Sequence, residues 1–65
     1  MKHDVNDPVI SDIKVYVLNL AAEDYDYYSG RILSGVLLLE HLTGKEWYLY
    51  KNHYTEEWIL DFEEE

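Results

Sequence analysis

The chain has 65 residues, a formal net charge of −9 at pH 7 and no cysteine. A chain this short forms one small domain that buries only about 60% of its unfolded surface. Disulfides are excluded, and the three histidines lack the spacing of a zinc site, so we expect support from a second chain or a bound partner.

The composition predicts a folded acidic protein. Hydrophobic residues make up 48% of the chain, with seven Tyr, two Trp and one Phe, whereas disordered acidic tails are poor in aromatic residues. An acidic surface repels nucleic acid and anionic lipid, so we expect neither direct nucleic-acid binding nor membrane binding. The expected partner is a basic protein, although solubility alone is an alternative reason for the charge.

No apolar run approaches the roughly 20 residues that span a bilayer, and no signal peptide is visible. We therefore expect a cytoplasmic protein.

The first 20 residues predict an arm followed by a strand. Residues 1–11 are polar and contain the only proline, which is typical of a flexible N-terminal arm, and we expect residues 12–65 to form the single domain. The segment "IKVYVLNL" (13–20) alternates with apolar residues on both faces, which favours a central strand covered on two sides.

The next segment, "AAEDYDYYSG" (21–30), is ambiguous. It could form a turn and a short edge strand, or the first turns of a helix. Tyrosine favours strands, so we prefer the hairpin.

A helix is predicted over residues 30–45. Ile32, Val36 and Leu39 follow the spacing i, i+4, i+7. Ser29 can serve as N-cap, and Gly44 occupies the position of a C-terminal glycine cap.

The predicted helix carries more apolar surface than one small sheet can cover. Seven of the eleven residues 32–42 are apolar. We expect the uncovered side to meet a second copy of the chain or the target. Gly35 costs about 1 kcal/mol within a helix, which indicates either close approach of another backbone or a tolerated flaw.

The C-terminal segments 46–54 and 56–62 alternate again and flank a turn-prone Asn52-His53, so they predict a hairpin. The expected fold is therefore α+β, a small antiparallel sheet of three to four strands with one helix packed across it. Its expected order is strand–strand–helix–strand–strand.

Catalysis is not expected. The sequence contains no nucleophile elbow, no phosphate-binding glycine loop and no metal-ligand motif, and so predicts neither cofactor nor metal. Glu23, Asp24 and Asp26 could do acid–base work or hold a cation, but they lack the glycine and bidentate glutamate of calcium sites.

The stretch "EDYDYYS" (23–29) instead predicts a DNA-like surface. In a strand, Asp24 and Asp26 would stand about 6.6–6.8 Å apart, close to the spacing of DNA phosphates. Helical i, i+4 carboxylates would give nearly the same spacing. Tyrosine rings such as Tyr27 can stack with arginine or lysine of a target. The alternative is an edge strand charged to prevent aggregation.

The pieces "KVYVLNL", "YDYYSG" and "LLEHLTG" resemble the phage-encoded inhibitors of uracil-DNA glycosylase, which are short acidic DNA mimics. The resemblance implies a strand, an acidic turn, a tyrosine-rich strand, a helix, a further strand and a homodimer. It places Asp26 as the carboxylate between tyrosines and Leu39 with Glu40 on the helical pair that contacts the enzyme. Thr43 stands where the family has a tyrosine, and the second C-terminal strand has no counterpart.

The sequence therefore predicts a non-enzymatic inhibitor that occludes the DNA-binding cleft of a host enzyme, most simply uracil-DNA glycosylase, with a carboxylate stripe and an apolar pocket. The alternatives are a phage anti-restriction or anti-CRISPR DNA mimic and a plain acidic interaction module of the immunity type. The predicted partner-binding residues are Glu23, Asp24, Asp26, Tyr27, Val36, Leu39, Glu40 and Thr43.

Overall fold

The computed structural model describes residues 2–64 and shows two helices followed by a β-hairpin. The elements are α1 (Pro8–Asp24), α2 (Ser29–Thr43), β1 (Glu46–Lys51) and β2 (Trp58–Glu63). The helices form one layer and the two antiparallel strands form the other, with α2 contacting β1 and α1 contacting β2.

The α+β class is therefore observed, but the expected three to four strands and single helix are wrong, because the chain has two helices and two strands. The segment 13–20 lies within α1 and not in a strand. Its apolar residues also fit a helix, since Ile10, Val17 and Ala21 fall at helical spacing and lie buried on one face.

The start of α1 lies inside the segment predicted as an arm. Asp7 is the N-cap, and its carboxylate accepts a hydrogen bond from the Val9 N–H at 3.0 Å. That bond, together with the neighbouring His3, holds the pKa of Asp7 below its ordinary value. Pro8 occupies the first turn, where its missing N–H costs nothing, and Ile10 is fully buried. Residues 8–11 are therefore helical, and Ile10 belongs to the core.

The segment 21–28 forms the last turn of α1 and a four-residue turn, so the expected hairpin at this place is wrong. The carboxylate of Asp24 accepts from the Tyr27 N–H at 3.1 Å, which stabilises the turn.

The helix predicted over residues 30–45 is confirmed as α2, with small changes at both ends. Helix α2 begins at Ser29, and its cap residue is Tyr28 without a side-chain hydrogen bond, so Ser29 is not the N-cap. Gly44 has φ +71° and donates its N–H to the Glu40 carbonyl at 2.8 Å, as expected of a glycine C-cap.

The C-terminal hairpin is also confirmed. The strands pair antiparallel, from Glu46 opposite Glu63 to Lys51 opposite Trp58. The inward side chains of the sheet meet the helices, and the buried apolar core consists of Ile10, Val17, Leu20, Ala21, Ile32, Leu39, Trp47 and Leu60.

Within residues 2–64, neither helix combines the length and the apolar character needed to cross a bilayer.

Candidate functional site: an acidic and tyrosine-rich sheet face

Four of the predicted partner-binding residues lie together at the end of α1 and in the turn that follows it. Glu23, Asp24, Asp26 and Tyr27 are all exposed, and Tyr27 retains 77% of its possible exposure. The turn holds these side chains at the surface, so a role in partner binding stays a prediction for them.

The other four predicted residues form the junction between α2 and β1. Leu39 is fully buried, and Val36 packs against the core. Thr43 is buried; its hydroxyl donates to the Leu39 carbonyl at 2.6 Å and accepts from the Trp47 indole N–H at 2.8 Å. These groups hold the fold together, and Leu39 and Thr43 offer no surface to a partner.

Glu40 has a structural partner as well, because its carboxylate accepts from the Trp47 backbone N–H at 3.2 Å. Eleven residues separate Glu40 from Ser29 at the start of α2, or about 17 Å along the helix axis. The structure therefore does not bring the junction and the turn into one site.

A different surface combines carboxylates with aromatic rings. On β1 and β2 alternate side chains point away from the helices, and we call this surface the outer sheet face. It consists of Glu46, Tyr48, Tyr50, Ile59, Asp61 and Glu63. The rings of Tyr48 and Tyr50 stack with centroids 5.8 Å apart and planes 22° apart.

The electrostatics of the outer sheet face are one-sided. Glu46 lies directly opposite Glu63, and Tyr48 lies opposite Asp61. Partial desolvation, followed by the negative charge of Asp61, raises the pKa of the Tyr48 phenol above its ordinary value. Like charges directly across a strand pair destabilise a sheet, so this arrangement opposes folding.

Most of the cations lie elsewhere, over aromatic rings. Lys14 lies 5.7 Å from the Trp47 ring centroid and Lys45 lies 5.5 Å from that of Phe62. Lys51 contacts Trp58 at 5.9 Å, and the guanidinium of Arg31 lies 5.8 Å from the centroid of the Tyr28 ring. Four of the five Lys and Arg residues are thus placed over rings outside the outer sheet face.

These cations leave the carboxylates unpaired. Across residues 2–64 the one ion pair is His3 with Asp7, at 3.2 Å, and no Lys or Arg lies within 4.0 Å of a carboxylate. The outer sheet face therefore presents three carboxylates and two stacked phenols without a cation of its own. The same part of the chain holds no group of three or more His, Asp or Glu that could bind a metal ion.

The signal for this face was present in the sequence. Within "EWYLYK" the acidic and tyrosine residues alternate with Trp47 and Leu49, and within "WILDFE" the acidic residues alternate with Leu60 and Phe62. The register of the hairpin was needed to show that the carboxylates of the two strands meet.

The comparisons with known proteins gave no match: no family model fits the sequence, and no characterised protein or solved structure is significantly similar to it.

Replacing Glu46 with lysine is expected to stabilise the fold, because it converts a like-charge cross-strand pair with Glu63 into an opposite-charge pair. Such pairs are worth about 0.2–1 kcal/mol. The matched control is Asp26→Lys, which changes the net charge equally but lies in the turn, away from the strand pair. Urea unfolding should show the larger gain for Glu46→Lys. Equal gains would mean that only the total charge matters.

Proposed function

We propose that this protein is a non-enzymatic acidic binding module that occupies the cationic surface of a basic partner and thereby inhibits it. The outer sheet face supports this proposal most directly, since it joins three unpaired carboxylates to a pair of stacked tyrosines. Carboxylates without internal partners lower stability and raise association rates with a positively charged surface.

The geometry of this face suits the mimicry of a nucleic-acid backbone. Asp61 and Glu63 alternate along one strand, which sets them about 6.6–6.8 Å apart, and Glu46 lies on the neighbouring strand about 4.7–4.9 Å away. Successive phosphates of a DNA strand have a comparable separation. The exposed rings of Tyr48 and Tyr50 can stack with guanidinium groups, as bases do.

Uracil-DNA glycosylase is the first target to test. The contacts implied by the resemblance to its inhibitors change, because residues 13–20 are helical and Leu39 is buried. In this proposal the outer sheet face takes over the role of the carboxylate stripe, with the exposed turn carrying Asp24 and Asp26 as a second anionic area. Restriction and CRISPR proteins of a bacterial cytoplasm present similar DNA-binding clefts and are the alternative targets.

The test compares two triple variants with equal charge. Glu46→Gln, Asp61→Asn and Glu63→Gln neutralise the outer sheet face, whereas Asp4→Asn, Glu56→Gln and Glu57→Gln neutralise exposed residues outside it and outside the turn after α1. Asparagine keeps the side-chain oxygen that accepts from the Phe62 N–H in the native chain.

The wild type should inhibit uracil excision, and the outer-face triple should associate at least about ten-fold more slowly at low salt than the control triple. If uracil excision continues unchanged at micromolar concentrations of this protein, uracil-DNA glycosylase is not its target. A pull-down from bacterial lysate, washed at rising salt, then tests whether the protein binds a basic partner through the outer sheet face. Equal retention of a partner by both triple variants would contradict a role for that face.

A further inference from the structure

The two helices expose an apolar surface that the strands do not cover, which we call the helix face. Its large apolar side chains are Val9, Val15, Tyr16, Leu33, Leu37 and Leu38, each between 44% and 59% exposed. So many large exposed apolar side chains on the two helices of a small chain indicate an interaction site.

A groove of about 460 Å³ runs between α1 and α2 on this face. Only helical residues line it, and one of them is Gly30, where an added Cβ would meet no atom within 4 Å, so this part of the groove is open. Tyr16 and Leu38 form apolar walls. The groove can therefore receive side chains from another molecule.

The charges on the groove indicate what that molecule is. Asp12 and Arg31 both line the groove, yet within residues 2–64 no Lys or Arg comes within 4.0 Å of a carboxylate, so the two are not paired with each other. The groove thus carries one charge of each sign, in contrast to the acidic outer sheet face. A uniformly basic partner would match Asp12 but would be repelled by Arg31.

We infer that the helix face binds a second copy of this chain across a two-fold axis. In a two-fold contact each pair of residues occurs twice, so Arg31 of one copy can meet Asp12 of the other, and the reverse. The exposed leucines become buried between two helix layers. Both outer sheet faces then point away from the dimer, which makes the assembly bivalent. The dimer does not depend on the function proposed above.

The size of the helix face sets the expected affinity. The helices of 17 and 15 residues are about 22–25 Å long and about 10 Å wide each, so two copies would bury on the order of 1,000 Å². That area is at the lower limit for a specific interface, so we expect a weak and reversible association. Two chains of charge −9 also repel each other, and salt screens this repulsion.

Sedimentation equilibrium of the full chain tests the inference. Between about 1 and 200 µM we expect a monomer–dimer equilibrium whose dissociation constant falls when NaCl is raised from about 0.05 to 0.5 M. Binding of a basic partner to the outer sheet face should weaken over the same range. A chain that stays monomeric under all these conditions would overturn the inference.

Substitutions on the helix face test whether it is the dimer contact. Leu37→Gln with Leu38→Gln keeps the net charge and should weaken dimerisation at least about ten-fold, whereas Tyr54→Gln, at a 99% exposed loop position, should leave it unchanged. Circular dichroism checks that each variant is folded. Equal dimerisation of all three proteins would place the contact elsewhere and refute the inference.

A charge swap tests the two-fold pairing itself. Asp12→Arg and Arg31→Asp should each weaken the dimer, because like charges then meet across the axis, and the double variant should restore it. A double variant weaker than both single variants would exclude the proposed pairing. If the leucine variants instead abolish binding of a target by a monomeric wild type, the helix face belongs to that target and not to a second copy.

Discussion

Replacing Leu39 with alanine is expected to lower the free energy of unfolding by about 2–5 kcal/mol. Leu39 is fully buried in the C-terminal half of α2 and lies in the apolar core between the helices and the sheet. A domain of this length has a total stability of only about 3–10 kcal/mol, so the variant should be largely unfolded under mild conditions. Urea unfolding followed by the fluorescence of Trp47 and Trp58 measures the change.

The neighbouring Leu38→Ala is the matched control, since the same atoms are removed from a side chain that is 44% exposed. Its cost should stay below about 1 kcal/mol. If Leu39 were a surface contact, as the resemblance to the glycosylase inhibitors implied, the two variants would unfold at similar urea concentrations. That outcome would contradict the packing of α2 described above.

Replacing Gly35 with alanine is expected to destabilise the protein, although alanine is the better helix former. The added Cβ would fall well inside van der Waals contact with the Cγ2 atom of Val17 in α1. Val17 is fully buried and β-branched, so its side chain cannot turn away. Overpacking costs about 1–3 kcal/mol against a gain in helix propensity of about 1 kcal/mol, and we expect a net loss of up to about 2 kcal/mol.

Gly30→Ala serves as the control, because a Cβ at that position would meet no atom within 4 Å. It should leave stability unchanged or raise it by up to about 1 kcal/mol. Adding Val17→Ala should make Gly35→Ala less harmful, since the space taken by the valine methyl is then free. A Gly35→Ala variant as stable as Gly30→Ala would show that the helices do not approach this closely.

Some elements could be predicted from the sequence because local chemistry defines them. Helix α2 has apolar residues at helical spacing, and Gly44 ends it in a left-handed conformation that only glycine adopts at no cost. The hairpin follows from strict alternation on both sides of a turn-prone segment. The net charge of −9 is likewise a property of the composition, and it predicts a basic partner without reference to the fold.

Helix α1 could not be predicted in the same way. The segment 13–20 is apolar on both faces of a strand, and such a pattern fits a helix equally well. The choice depends on residues outside it, since Asp7 caps the helix and Ile10 joins the same buried face. Because residues 1–11 were interpreted as an arm, neither the Asp7 cap nor Ile10 was counted as evidence for a helix.

The tertiary structure was needed to locate the candidate site. The sequence directed attention to the charges of residues 23–29, which lie at the end of α1 and in the turn after it, and to Leu39, which packing removes from the surface. The pairing of β1 with β2 instead brings Glu46, Asp61 and Glu63 onto one face with two tyrosines. Composition determines how much charge the chain carries, but the register between distant segments determines which charges stand together, because side chains far apart in sequence become neighbours only when the strands pair.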